Sequence, residues 1–267
     1  MQKSNKPGSF GCRVFYCYNS VMDESRLTQV DLGRRGFKMF QQKDGFRFGT
    51  DTVLLAWFTA SHIREGQPKR VLEEGSNCGA CSLLVAARRP KVHIDALEID
   101  ADACEVLRKN IELNGLKGNI EVFNGDVRDL PGPIREKQYD VVFMNPPFYK
   151  AGAGPASGVI GRDEVNGSLG DFIKAASSRL VPSSGIMCIV MTARRTDEVM
   201  SLMLDSGIKP FNMICVHADK NKNAQIVLVA GKKTTSATQL EIMPPLVLND
   251  KEKMSEIYDK EQTDCFI

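Results

Sequence analysis

The chain has 267 residues, 42% hydrophobic and 25% charged, with a formal net charge of +2, which suits one large α/β domain or one domain with appendages. A charge this balanced gives no general argument for nucleic acid, although a local basic patch stays open. No apolar run approaches the roughly 18 residues of a membrane span and the N-terminus carries no apolar signal core, so a cytoplasmic protein is expected.

Residues 1–26 show no sustained periodicity and are expected to be a leader. The domain is expected over 27–248, followed by a polar tail or helix over 249–267. Gly36 to Gln41 reads as extended, and Lys43-Asp44-Gly45 as a turn. Thr50 or Asp51 then caps a helix whose Val53, Leu54, Leu55, Trp57 and Phe58 make it apolar over most of its surface, hence buried. From Arg70 onward strands and helices alternate. RVLEEGSNCGACSLLVAARR gives a strand, a loop and a helix, and IDALEIDADACEVLRKNIELNG repeats the pattern. IEVFN is a third strand, and Val141 to Met144 a fourth with no polar face, which belongs at the centre of a sheet covered on both sides. A helix from Leu169 to Leu180, the strand GIMCIVMT, a helix from Thr196 to Ser206, and two strands flanking the polar loop Asp219 to Asn223 complete the series. This is βαβ rhythm, in which ligands bind outside the carboxyl ends of the strands.

Three loops at those ends carry chemistry. Glu74-Gly75-Ser76-Asn77-Cys78-Gly79 follows the first strand, where glycines allow close approach of a ligand and helix-terminal amides receive an anionic group. Glu98 ends the second strand about 20 positions on, the spacing at which a carboxylate accepts from both ribose hydroxyls of an adenosyl cofactor. Asn145-Pro146-Pro147-Phe148 stops the fourth strand. The prolines lack donors and hold the chain stiff, so that the Asn145 amide oxygen and the Pro146 carbonyl form two acceptors beside the Phe148 ring. That arrangement suits a flat heterocycle with an exocyclic amine, although the same tetrapeptide also makes an ordinary strand-ending turn. Of the eight cysteines, Cys104, Cys188 and Cys215 lie in apolar patterns. Cys78-Gly-Ala-Cys81 has no second pair or histidine beside it, so neither disulfides nor a metal is expected.

The Asn-Pro-Pro-aromatic tetrapeptide resembles the motif of S-adenosylmethionine (SAM) dependent methyltransferases acting on amino or amide nitrogen. Together with FRFGTDTVLLAWF, MNPPFYK, Arg162-Asp163, Val216-His217 and PPLVLND, the chain resembles the bacterial valine tRNA adenine-N6 methyltransferases from Gly36 to Tyr258. The resemblance implies an α/β, Rossmann-like class I methyltransferase with a seven-stranded, mostly parallel sheet, a C-terminal antiparallel hairpin and helices on both faces. It implies SAM held by Gly49, Thr50, Asp51, Glu73, Gly75, Asn77, Gly79, Glu98, Ile99, Asp126, Val127 and Asn145, with the Asp126 carboxylate accepting from the adenine amine of the cofactor. Asn145, Pro146 and Phe148 would be catalytic, and Pro147, Phe148, Tyr149, Lys150 and Arg162 would meet a tRNA substrate. Basic residues expected near the substrate edge are Lys150, Arg162, Arg194, Arg195, Lys220, Lys222, Lys232 and Lys233. The loop departs from the family pattern at Glu74 and Asn77. Asn tolerates a left-handed turn, whereas a carboxylate at Glu74 must be paired, neutral or displaced. Glutamine side chains and guanine N2 remain compatible acceptors, and a binding module with a degenerate cofactor site is the non-enzymatic alternative.

Overall fold

The computed structural model describes residues 24–45, 47–67, 69–150, 152 and 164–258. Most of the expected leader, together with Arg162 and Asp163, lies outside these residues. A short 3-10 turn, Glu24–Arg26, leads into strand β1 (Leu27–Asp31), which pairs antiparallel with β2 (Lys38–Gln42). The extended segment expected at Gly36 to Gln41 is therefore one arm of a hairpin whose other arm has no clear sequence pattern. Helix α1 (Thr50–Ser61) is buried at eight positions, as its apolar surface requires, but its N-cap is Gly49 and makes no side-chain bond. Thr50 and Asp51 are already helical.

The main sheet contains β3 (Lys69–Glu74), β4 (Val92–Glu98), β5 (Ile120–Asn124), β6 (Val141–Met144), β7 (Ile186–Thr192), β8 (Ile208–His217) and β9 (Ala224–Lys233). These are the seven expected strands, with β3 to β7 parallel and β8–β9 an antiparallel hairpin. Two short strands, β10 (Glu241–Ile242) and β11 (Leu246–Val247), add to the β8 edge and bring the sheet to nine. Pro244 and Pro245 lie between them and have no N–H to give, which splits one edge strand into two. The order β8-β9-β7-β6-β3-β4-β5 reverses direction between β3 and β6.

Helices α2 (Ala80–Arg88) and α3 (Ala101–Leu113) join α1 on one face, while α4 (Gly132–Arg135), α5 (Leu169–Arg179) and α6 (Thr196–Asp205) cover the other. The alternation of the pleat explains the unbroken apolar runs. Val141 and Phe143 belong to the core under α1 and α2, and Val142 and Met144 to the core under α5. Helix α7 (Lys251–Ile257) buries Met254 and Ile257 in the first core, and Arg88 Nη2 donates to the Ile257 carbonyl at 2.7 Å.

At the end of β3 the same alternation sends two adjacent carboxyls in opposite directions. Glu73 points toward α2, where its Oε2 accepts from the amide and hydroxyl of Ser82. Glu74 is fully buried on the α5 side beside Leu97 and Met144, and neither of its oxygens has a hydrogen-bond partner among the described residues. Burial raises the Glu74 pKa well above the ordinary carboxyl value, which favours the neutral acid; burial also pushes Glu73 up to about 8. Both groups are protonated in folded and unfolded chains below about pH 4.5. Above it only the unfolded chain releases their protons, so stability falls as pH rises, by about 1.4 kcal/mol per pH unit for each such group. Urea denaturation of Glu74→Leu should show a protein more stable at pH 7.5, by up to about 4 kcal/mol from the proton linkage, with a flatter pH dependence between 5 and 8. A slope equal to that of the wild type would show that Glu74 is ionised in the fold.

Candidate active site

The reversal of strand order between β3 and β6 opens a crevice, because connections leave to opposite sides there. Asn145, the first residue past β6, stands at its edge. Its Nδ2 donates to Asp51 Oδ2 at 3.0 Å and approaches Thr52 Oγ1 at 3.4 Å. With the amide nitrogen held by α1, the Asn145 oxygen is the atom left to face a ligand. Buried Pro146 and half-buried Pro147 follow, and Pro147 lines the cavity with Asn145. Phe148 packs against both cores and is not among the lining residues. Tyr149 is exposed, and its carbonyl accepts from the Glu164 amide at 2.9 Å.

The glycine loop keeps its turn despite its sequence. Asn77 adopts φ +48°, and its side-chain oxygen accepts from the Cys78 amide at 2.6 Å, a local bond that steadies the left-handed conformation. Glu98 accepts from the Asn77 amide at 2.7 Å through Oε2 and from the Asp100 amide at 2.9 Å through Oε1. Each oxygen keeps a lone pair for a further donor. Gly75, Asn77, Glu98, Ile99, Asp126 and Val127 line the cavity, as does Glu73. Gly79 does not. A Cβ there would come within 2.0 Å of Leu107 Cδ1, so this glycine serves the packing of α2 against α3. The Asp126 carboxylate is clasped by Arg128, whose Nη2 lies 2.5 Å from Oδ2, and this pairing holds its pKa below the usual carboxylate range. Gly49, Thr50 and Asp51 stand behind the wall, while their neighbours Phe48 and Thr52 line it.

The basic residues divide by topology. Arg195, expected near the substrate edge, is buried. Its guanidinium pairs with Glu164 at 2.6 Å and Glu198 at 2.9 Å, and Nη1 reaches the Pro147 and Phe148 carbonyls at 3.5 and 3.4 Å. Lys150 is exposed and 3.6 Å from Glu198. Lys232 and Lys233 lie at the opposite end of the sheet, because antiparallel β9 finishes beside the start of β7. Lys220 and Lys222, in the β8–β9 turn, remain on the site's side.

The cavity has a volume of about 520 Å³, within the range of small-molecule sites. Its wall includes residues beyond those expected to hold a ligand. Met39, Gln41 and Gln42 come from β2, Ser76 and Cys78 from the glycine loop, and Phe172 from α5. The legible signal was Gln41: the buried face of β2 alternates Met39, Gln41, and a polar side chain on a buried face requires a partner. Cys78 is a buried thiol that desolvation pushes up to about 12, and Cys81 is raised likewise. Neither has the environment of a reactive thiolate.

Over residues 47–215 the sequence matches the family model of the methyltransferase small domain. The protein belongs to this methyltransferase family. Among curated relatives, the methyltransferase is 26% identical over 215 residues to the tRNA1(Val) (adenine(37)-N6)-methyltransferase of Aeromonas salmonicida, covering 78% of this chain and 87% of that one. It is 30% identical over 173 residues to the protein of the same name from Porphyromonas gingivalis, covering 63% and 65%. Its fold resembles a predicted O-methyltransferase from Agrobacterium tumefaciens, with a TM-score of 0.58, 23% identity, and 73% and 87% of the two chains covered. It also resembles the M. jannaschii tRNA m1G37 methyltransferase, with a TM-score of 0.57, 16% identity and coverages of 79% and 58%.

The methyl donor of this class is SAM, and the cavity suits it. Ser76 Oγ and Gln41 Oε1 are buried polar atoms in the wall with no partner within the described residues. Such atoms are costly unless a polar ligand meets them. Glu74, the more disruptive departure in the loop, is not part of the wall.

Proposed function

We propose that this methyltransferase transfers a methyl group from SAM to the exocyclic N6 amine of an adenine in tRNA, in the cytoplasm. The observation that carries the reading is the Asn145 amide, which lines the crevice at the switch point with its nitrogen held by Asp51, so that its oxygen is the atom free to accept from a ligand. The names of the curated relatives support the same substrate. The catalytic unit we take to span 27–248, with α7 bracing it from behind.

When bound, SAM supplies an electrophilic methyl on a sulfonium. The chain's own task is then to hold an amine in line and turn its lone pair toward that methyl. Asn145 Oδ1 and the Pro146 carbonyl accept the two amine hydrogens, and they hold more strongly as the nitrogen becomes tetrahedral and its hydrogens acidic. Phe148 offers an aromatic face next to these acceptors, and Pro147 closes the wall between. On the cofactor side, Glu98 takes the ribose hydroxyls with its remaining lone pairs, while Gly75 and Asn77 let the backbone approach. Ile99, Val127 and Asp126 border the adenine. Lys150, exposed at the end of the Asn145 loop, stands where a tRNA phosphate would arrive.

The deciding experiment is incubation of the protein with SAM and tRNA, followed by mass spectrometry of the nucleosides. N6-methyladenosine is the expected product. Methylated guanine, or a methylated protein glutamine in preference to tRNA, would reassign the acceptor, and no SAM binding at all would leave only a binding module. Affinity for tRNA should fall with salt by a log–log slope of about 0.7 to 0.9 per phosphate contacted. Changing Lys150 and Arg162 together to Ala should flatten that slope.

A further inference from the structure

Gln41 belongs to the N-terminal hairpin, outside the three strand-end loops that make up the proposed site. Its side chain shares the inward face of β2 with Met39, and only 6% of its surface is exposed. Its Oε1 is buried and accepts no hydrogen bond from the described residues. An apolar residue at this position would have continued the core at no such cost.

The strand that carries Gln41 is held by an unusual device. Two asparagines one turn apart, Asn110 in α3 and Asn114 at its C-terminal cap, pair with the backbone edge of β2 as a neighbouring strand would. Asn110 exchanges bonds with Phe40, its Oδ1 accepting from the amide at 2.6 Å and its Nδ2 donating to the carbonyl at 2.8 Å. Asn114 does the same for Lys38, at 3.0 and 2.7 Å. Asn110 Nδ2 also donates to the Cys78 carbonyl at 2.9 Å, and Asn110 is fully buried. One side chain thus locks β2 to the glycine loop, immediately beside Gln41. This places Gln41 at the glycine-loop end of the cavity, where Ser76 Oγ is the second unpartnered atom. Asp126 and Val127 border the cavity from the end of β5.

The two ends of SAM differ chemically in a way that matches this division. Its adenosine end carries hydroxyls and an aromatic amine, while its other end carries an ammonium and a carboxylate on one carbon. A carboxamide presents an acceptor and a donor from one carbon, the complement of that zwitterion. We infer that Gln41 holds the amino-acid end of SAM, its Oε1 accepting from the α-ammonium, and that Asn110 and Asn114 position it by fastening β2 to the glycine loop. Ser76 Oγ serves the same end. The N-terminal hairpin is then part of the cofactor site and not an appendage to it.

This rests on the proposed SAM chemistry and is tested by binding alone. Calorimetry would compare S-adenosylhomocysteine with 5′-methylthioadenosine, which keeps the adenosine and sulfur but lacks the amino-acid end. For Gln41→Leu, affinity for S-adenosylhomocysteine should fall about ten- to a hundred-fold, as for a lost hydrogen bond to a charged group. Affinity for 5′-methylthioadenosine should be unchanged. Gln41→Glu keeps an acceptor and should bind S-adenosylhomocysteine better than the Leu variant does. Equal losses for both ligands would mean that Gln41 only supports the fold, and no loss for either would mean that it does not touch the cofactor; each overturns the inference while leaving the methyl-donor reading intact. Wild-type protein that binds neither ligand would overturn both.

Discussion

Asn145→Ala is expected to lower the rate of methyl transfer by about 10² or more, the scale seen when one preorganised polar partner of a transition state is lost. The exocyclic amine of adenine is a poor nucleophile because its lone pair is delocalised into the ring. The acceptors matter most when that lone pair is being withdrawn from conjugation. Single-turnover measurement with saturating SAM isolates this step, and a wild-type rate in the folded variant would remove Asn145 from the chemistry. Asn145→Asp makes a sharper comparison because of Asp51. The substitution places a second carboxylate where the amide nitrogen now sits, 3.0 Å from Asp51 Oδ2. Two carboxyls at that distance do not both ionise readily, so the pair retains one proton, with a pKa raised by mutual repulsion. With that proton shared, the Asn145→Asp site reproduces the wild-type hydrogen bond and keeps substantial activity. As pH rises and the proton leaves, repulsion displaces the acceptor and activity should fall. The variant therefore loses rate relative to wild type on the alkaline side, and a constant ratio across pH would show that Asp51 does not orient residue 145.

The second large effect is expected at Arg195. Its side chain is about nine-tenths buried, as is that of Glu164, and the pair is made at 2.6 Å. Arg195→Ala would leave the Glu164 carboxylate enclosed without its cation, a loss of about 3–5 kcal/mol when one partner of a buried pair is removed. It would also release the carbonyls of Pro147 and Phe148, which Arg195 Nη1 approaches directly behind the proposed acceptor site. Denaturant unfolding should therefore show a large stability loss. At a temperature where the variant remains folded, methyl transfer should fall more than SAM affinity, because most of the cavity wall comes from β2 and from the ends of β3, β4 and β5. Arg195→Lys retains the charge without the fork that reaches both Glu164 and Glu198, and should recover only part of the stability. A stable, fully active Arg195→Ala protein would mean that the ion pairs are incidental.

The sequence by itself determined the order of the main strands and helices, since periodicity is local. The unbroken apolar run at Val141 to Met144, the βαβ alternation and the final hairpin each carry their signal within a few residues. It also located the three strand-end loops, because loop chemistry depends on glycine, proline and carboxylates at short spacing. What it could not determine depends on partners distant in the chain. The Asn145 amide is oriented by Asp51, 94 positions earlier. Arg195 looks like a surface base until Glu164 and Glu198 close on it. Lys232 and Lys233 fall on the wrong edge because strand direction, not proximity in sequence, decides which end of a sheet a residue reaches. The hairpin at β1 and β2 was legible only as an extended piece, since it is held against the domain by Asn110 in α3 and Asn114 at its cap. Glu74 shows both sides together. Its chemistry limited it to three states, paired, neutral or displaced, and the alternation of β3 into a core that offers it no donor among the described residues favours the neutral one.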